Sequence, residues 1–321
     1  MHAAVVTRHG GPEVLRQESV DDPVPGPGEV LVRTRAIGVN FIDTYLRRGR
    51  YPSHPPYIPG TEGAGEVVAT GPGVTGPAPG TRVCWCDAPA SYAELVAVPA
   101  HRAVTIPDGV ADEVIGGSLL RGLTAHYLLD GSAHPAAGDT ILLHAGAGGV
   151  GLILTQLATR RGLRVITTVS SDEKAALSTA AGADHVLRYG TDLVAAVRDL
   201  TGGAGVRVAY DGVGADTFEQ SLAATGIRGT VVLFGAASGP VPPFDLQRLN
   251  AAGSLSVTRP TLAHFIADPD ELRWRATEYL TAVADGLRVT VGNRHRLADA
   301  AAAHTALEAR ATTGTSVLIP G

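Results

Sequence analysis

Cysteine is nearly absent from this 321-residue chain, which holds only Cys84 and Cys86. One residue apart, the two cannot bridge distant parts of a fold with ordinary disulfide geometry, and two are too few for a disulfide framework. Their use fits a reducing compartment. The eleven histidines are scattered, without the spacing of metal ligands. No apolar run approaches the roughly 18 residues of a transmembrane helix, and Met1 to Gly10 lack the apolar stretch of a signal peptide. A cytoplasmic protein with no membrane partner is expected. Charge of one sign is also missing: 26 basic and 31 acidic residues, net -5, form no long block of either kind. That excludes the electrostatic footprint of a nucleic-acid binder. No repeat of solenoid length is found.

What is present is 45% hydrophobic residues, enough in a chain of this length for two cores. The organising stretch is Ile141-Leu142-Leu143-His144-Ala145-Gly146-Ala147-Gly148-Gly149-Val150-Gly151, an apolar run that stops at a glycine cluster and then turns helix-periodic. Gly146, Gly148 and Gly151 stand at G-x-G-x-x-G spacing. The first is expected to let the chain reverse, the second to let a pyrophosphate come close, and the third to let helix and strand pack. The anion would rest on helix N–H groups that lack partners in the first turn. A glycine cluster alone can be mere turn chemistry. Here Ile153, Leu154, Leu157 and Ala158 follow at helical spacing, Gly162 ends the helix, and the β-branched run Leu163 to Val169 completes a βαβ unit.

The alternation continues with helix Asp172 to Ala181, a strand near His185 to Arg188, helix Leu193 to Leu200, strand Val206 to Tyr210, helix Phe218 to Ala223, and strands Thr230 to Phe234 and Ser254 to Val257. The fold class is therefore α/β, a doubly wound parallel sheet of six strands, with ligands beyond the strands' carboxyl ends. Residues before about 110 read as a β-rich domain, short alternating strands divided by Pro/Gly clusters, with a helical turn at Phe41 to Arg47. Asp112 begins one longer helix through Leu119, Leu123 and Tyr127. After helices Glu271 to Ala284 and Ala298 to Arg310, the last strand, Ser316 to Ile319, is expected to return to the β-rich domain.

Taken in order, Gly10-Gly11-Pro12-Glu13-Val14-Leu15, Asn40-Phe41-Ile42-Asp43-Thr44-Tyr45, Gly60-Thr61-Glu62-Gly63-Ala64-Gly65, Gly122-Leu123-Thr124-Ala125, His144 to Gly151, Tyr210-Asp211-Gly212-Val213-Gly214 and Val257-Thr258-Arg259-Pro260 carry a resemblance. The chain resembles the zinc-free quinone oxidoreductases of the medium-chain dehydrogenase/reductase superfamily over nearly its whole length. The resemblance implies a GroES-like β domain from residues 1–122 and 263–321, a Rossmann NADPH-binding domain over 123–262, a cofactor cleft at their junction, and a homodimer. It places Asn40, Tyr45, Tyr51 and Thr124 near the nicotinamide or substrate, as the catalytic set. It places Lys174 and Tyr189 near the adenosine phosphate. Gly146, Ala147, Gly148, Gly149, Val150, Gly151, Ser170, Ser171, Val213, Phe234, Gly235, Ala236, Thr258 and Arg259 complete the cofactor site.

Blander roles stay open for some of these residues. Tyr45 and Tyr51 could be amphipathic rim residues, Phe234 strand core, and Arg259 the partner of a surface carboxylate. Asp43, a lone carboxylate opening a helical turn, reads as a solvated cap and stays outside the catalytic set.

Roughly 20 residues beyond the glycine turn, where an NAD site carries Asp or Glu, the strand ends in Ser170-Ser171, with Lys174 a helical turn on. This points to NADPH, opposed by Asp172 and Glu173 if they turn inward. No metal is expected, because Thr61 stands where zinc relatives carry histidine and no four-cysteine lobe exists. Cys84-Trp85-Cys86 reads as packing. The acceptor is a small molecule: a quinone, or in a second reading the conjugated carbonyl of an enone or enal. A third, non-catalytic reading makes the chain a nucleotide-binding structural or RNA-binding protein, against which the acidic balance argues. The homodimer would form through the last strand of the parallel sheet, near Ser254 to Val257.

Overall fold

A computed structural model describes residues 1–190 and 192–321, which form two compact units: Met1–Leu120 with Asp268–Gly321, and Arg121–Ala267. The first unit opens with β1 (His2–Val6) paired antiparallel to β2 (Leu15–Ser19). Its backbone is the long strand β3 (Glu29–Gly38), where Val30, Val32, Thr34 and Ala36 face inward and Arg33 and Arg35 outward. That period of two is what a sheet with one wet face requires. Helix α1 (Phe41–Arg47) follows, then strands β4 (Glu62–Thr70), β5 (Arg82–Cys86), β6 (Leu95–Pro99) and β7 (Val104–Thr105), with β4 and β6 both antiparallel to β3. Val30, Val32, Val67, Val83, Trp85, Val96 and Val98 form one of its buried clusters.

The single helix expected from Asp112 to Tyr127 is broken into α2 (Asp112–Gly116) and α3 (Leu119–Tyr127). Local bonds explain the break. Ser118 Oγ donates back to Val114 O at 2.6 Å, and the Leu120 amide donates to Glu62 Oε2 at 2.7 Å. A Cβ on Gly117 would lie 2.4 Å from Val317 Cγ1, so the break is packed tightly against β-structure.

In the second unit α3 runs into a wider helical turn, Leu128–Ser132. Six parallel strands follow: β8 (Thr140–Leu143), β9 (Arg164–Val169), β10 (His185–Arg188), β11 (Val206–Asp211), β12 (Thr225–Leu233) and β13 (Ser256–Thr258). Helices α4 (Gly149–Arg160), α5 (Asp172–Ala180), α6 (Leu193–Leu200), α7 (Phe218–Ala224) and α8 (Gln247–Ala251) connect them, and α9 (Leu262–Phe265) follows β13. The spatial order among the described residues is β10-β9-β8-β11-β12-β13. The direction in which successive strands are added reverses between β8 and β11, and in such sheets the crevice at this switch point, beyond the strands' carboxyl ends, takes the ligand. Leu142, Ile166, Ala209 and Val231 are buried on the sheet against Leu193, Val197, Phe218 and Leu222 of the helices, each large aliphatic side chain contributing about 1.5–3 kcal/mol.

Strand β12 starts five residues earlier than the sequence pattern suggests. Val206 pairs with Thr225 and Val208 already with Thr230, so Gly226 to Gly229 bulge out, with Arg228 at φ 58°. Phe234 lies just past the strand. The chain then returns to the first unit with α10 (Pro269–Ala284), β14 (Val291–Arg296), α11 (Ala300–Glu308) and β15 (Thr315–Ile319). β15 lies antiparallel to β3, Val317 opposite Gly38, and parallel to β14. No helix among the described residues is long and apolar enough to cross a membrane.

Candidate active site

The glycine turn sits at the switch point, between β8 and α4. Its left-handed residue is not a glycine: Ala145 has φ 54°, and none of Gly146, Gly148 and Gly151 has a positive φ. The expectation that Gly146 permits the reversal is thereby corrected. Gly146 is there for space, since a Cβ would lie 2.5 Å from Thr167 Cβ and 2.8 Å from Ser178 Oγ, while its amide donates to Thr168 O at 2.9 Å. Gly151 is more constrained still, with Ala145 O 2.4 Å from where a Cβ would stand. Gly148 is the N-cap of α4 and only Ala145 O, at 3.1 Å, crowds it, so the backbone there can be approached closely. Ala147 is buried, and Gly149, Val150 and Gly151 form the first helical turn, whose amides have no intrahelical acceptor. The residues present thus fit a dinucleotide pyrophosphate.

Behind the turn the strand ends are locked by a buried polar network. Asp211, fully buried at the end of β11, accepts from the amides of Val213 and Gly214, both at 2.9 Å, from Thr217 Oγ1, and from Ser221 Oγ at 2.8 Å. Ser221 has thus spent its proton and must accept from His144 Nε2 at 3.0 Å, leaving Nδ1 to accept from Thr168 Oγ1 at 2.9 Å. His144 is therefore the neutral Nε2–H tautomer. Burial pushes its pKa down, with the Asp211 charge opposing. The ring also stacks with Tyr189, centroids 6.3 Å apart, and the Tyr189 hydroxyl accepts from the Ala145 amide at 3.0 Å.

At the end of β9, Ser171 caps α5 by accepting from the Lys174 amide at 3.2 Å. Lys174 Nζ donates to Ser170 Oγ, also at 3.2 Å. Asp172, which could have faced a phosphate, is solvent-exposed and ion-paired with Arg188, the last residue of β10. Arg188 Nη2 also donates to Ser170 O at 2.8 Å.

The other strand ends lie close together. The amides of Phe234 and Gly235 donate to Asp211 O at 2.9 and 3.4 Å, and the Phe234 ring covers Gly212, where a Cβ would be 2.8 Å from it. Ala236, half-buried, closes this turn. Thr258 ends β13, opposite Val232. Arg259 is exposed and donates to Pro260 O at 3.1 Å. Thr124 lies buried on α3 of the same unit.

Asn40, Tyr45 and Tyr51 belong to the first unit. Asn40 is the N-cap of α1; its Nδ2 donates to Glu62 Oε1 at 2.7 Å and its amide to Asp43 Oδ2 at 2.8 Å. Glu62, fully buried, spends its second oxygen on the Leu120 amide. Tyr45, half-buried, and Tyr51, exposed, meet edge to face at 5.8 Å, with the Arg50 guanidinium 5.8 Å over the Tyr45 ring.

Asp43 does cap the helix, but the expectation of a solvated cap is corrected, because the residue is fully buried. It accepts from Tyr92 Oη at 3.2 Å. Tyr92 Oη lies 2.9 Å from His304 Nε2, His304 Nδ1 lies 3.1 Å from Arg47 Nη1, and Arg47 Nη2 donates to Glu308. Because Arg47 can only donate, His304 is neutral with its proton on Nε2. Burial and Arg47 lower its pKa to about 3.

A zinc ligand set does not fit here. Both cysteines are buried, with burial first and the Glu62 charge second raising their thiol pKa, while Glu62 is taken up by Asn40 and Leu120. Sequence reasoning missed Arg188, Glu62 and the Asp211–Ser221–His144 network. Glu62, His144 and Asp211 stand in the quoted motifs without a role read for them, and Arg188 is a cation ending β10, the strand beside β9.

Family models match at residues 26–108, the alcohol dehydrogenase GroES-like domain, and 149–275, zinc-binding dehydrogenase. A quinone oxidoreductase of Pseudomonas aeruginosa is 46% identical over 97% of both chains. A mycobacterial protein solved in complex with NADPH is 54% identical, with full coverage of both chains and a TM-score of 0.97. The Escherichia coli quinone oxidoreductase complexed with NADPH is 40% identical, again with full coverage and a TM-score of 0.97. With the GroES-like match, the six-stranded switch-point sheet and full-length relatives at this identity, the chain belongs to the quinone oxidoreductases of the medium-chain dehydrogenase/reductase superfamily.

Proposed function

We propose that this enzyme reduces quinones at the expense of NADPH, without a metal ion or a protein nucleophile. The observation that carries the reading is the glycine turn at the switch point, followed one strand over by Ser170, Ser171 and Lys174 in place of a ribose-binding carboxylate. NADPH supplies the hydride. The first-turn amides of α4 hold its pyrophosphate, and Tyr189, bonded to the Ala145 amide, steadies the turn that presents them. Ser170, Ser171 and Lys174 take the 2′-phosphate. Val213, Phe234, Gly235, Ala236, Thr258 and Arg259 bound the rest of the cofactor.

Asn40 and Thr124 orient the nicotinamide or an acceptor carbonyl. Tyr45 and Tyr51 stack on the acceptor or donate to its oxygen. Asn40 suits an aligning role, because its bonds to Glu62 and Asp43 fix the direction of its carboxamide. A quinone is already electrophilic and accepts a hydride without a Lewis acid, one proton from water completing the hydroquinone. We assign residues 1–122 with 263–321 to the acceptor-side domain and 123–262 to the NADPH domain. We further propose a cytoplasmic homodimer paired through β13, the sheet edge beside which Ile227 is exposed.

The test is NADPH consumption by the purified chain with 1,4-naphthoquinone, with an enone, and with no acceptor. Consumption with the quinone alone is the expected result. Transfer of deuterium from labelled NADPH to the β-carbon of the enone, with quinones inert, would overturn it, as would sedimentation at the monomer mass of 32.9 kDa for the dimer.

A further inference from the structure

Two cations of the second unit converge on Ser170, and one of them holds an anion. Lys174 Nζ donates to its hydroxyl, Arg188 Nη2 to its carbonyl at 2.8 Å, and Arg188 Nη1 pairs with the exposed Asp172 carboxylate, itself the first residue of α5. The β10–β9 register sets Arg188 opposite Val169, one residue short of Ser170, so its guanidinium is level with the end of β9. We propose that Arg188 is a second cation for the cofactor's 2′-phosphate, and that Asp172 is a resident anion which the phosphate displaces from it. This rests on the reading that the 2′-phosphate lies at Ser170 to Lys174.

The physical argument is an exchange of partners. Asp172 is fully exposed and Arg188 40% exposed, so the pair is solvent-screened and weakly held. A phosphate dianion offers the planar guanidinium a bidentate partner of higher charge, without moving the backbone bond to Ser170 that fixes where Arg188 sits. An acidic residue at this position, which on its own would repel a phosphate, is thereby neutralised by the cation it guards. A nucleotide without the 2′-phosphate gains nothing by displacing Asp172, so the exchange acts on selectivity and leaves general nucleotide affinity alone.

The experiment is calorimetric binding of adenosine 2′,5′-bisphosphate and of 5′-AMP to the whole protein and to Arg188→Ala, Asp172→Asn, the double variant and Lys174→Ala. Arg188→Ala is expected to weaken the bisphosphate about tenfold, the scale of a charge-assisted bond, and to leave 5′-AMP unchanged. Asp172→Asn is expected to tighten the bisphosphate about threefold to fivefold, the scale of an exposed ion pair. In the Arg188→Ala background that gain vanishes. An equal gain in both backgrounds means that Asp172 acts only as a charge near the helix N-terminus, and overturns the exchange. Loss of 2′-phosphate preference in Lys174→Ala but not in Arg188→Ala overturns the role of Arg188 alone. Unchanged preference in both removes the 2′-phosphate from this corner, and the underlying reading with it.

Discussion

His304 makes the first unit acid-sensitive by a calculable amount. Its folded pKa is about 3, against 6.5 for the free side chain, because burial and the Arg47 guanidinium oppose a second proton. Below pH 6.5 the unfolded chain takes up that proton and the folded chain does not, so stability is full above 6.5 and falls as pH drops toward 3. Each pH unit in that window removes about 1.4 kcal/mol, so between pH 7.5 and pH 5.0 the loss from this residue is about 2 kcal/mol. The perturbation is His304→Gln, which does not titrate and can still accept from Arg47 and donate to Tyr92. Both tryptophans, Trp85 and Trp274, lie in the first unit, so urea unfolding followed by their fluorescence reports the unit that contains His304. The parent should lose about 2 kcal/mol more than the variant between the two pH values. His144, also depressed, titrates with the same sign but is common to both proteins and cancels. Equal pH dependence in the two proteins would refute the assigned tautomer and the wire from Glu308 to Asp43.

Two further outcomes follow from groups that have no room or no substitute. Gly151→Ala drives a Cβ to 2.4 Å from Ala145 O and 2.9 Å from the Gly146 carbonyl carbon, and should cost about 1–3 kcal/mol while weakening NADPH binding more than tenfold, read by urea titration and by cofactor fluorescence; unaltered binding would show that the turn does not hold the pyrophosphate. Asn40→Ala strips the donor from the buried Glu62 Oε1 and should lower stability by about 1–3 kcal/mol together with quinone turnover, whereas lowered turnover at undiminished stability would contradict the Asn40–Glu62 anchor.

The parallel sheet was legible because its signals are local. Strand Ile141 to Leu143, the glycine spacing and the next β-branched run all lie within thirty residues. Ser170, Ser171 and Lys174 do stand at the end of β9 and the start of α5, where counting from the turn puts them. What escaped depends on contacts distant in sequence. The break between α2 and α3 is made by Glu62, 58 residues away from Leu120. The burial of Asp43 is made by Tyr92 and, through it, His304. Ala145 in the left-handed region is chosen by the packing of its neighbours against Thr167 and Ser178, which overrides the preference for glycine at such a torsion.

The weave of the chain has a consequence for the order in which the protein forms. Strand β15 closes against β3, at the opposite end of the sequence, while all of the second unit is contiguous. During synthesis the nucleotide-binding sheet is therefore complete while the Ile37–Gly38 end of β3, already paired with β4, still lacks β15 on its other side and must wait for the last residues to be made. An aborted chain ending before Thr315 carries a finished Rossmann sheet and an uncovered end of β3, the kind of surface that recruits other chains. Early completion of the nucleotide-binding sheet and late closure of the β sheet are thus separable events, and the carboxyl-terminal strand, remote from every candidate catalytic side chain in sequence, is what joins β14 to β3.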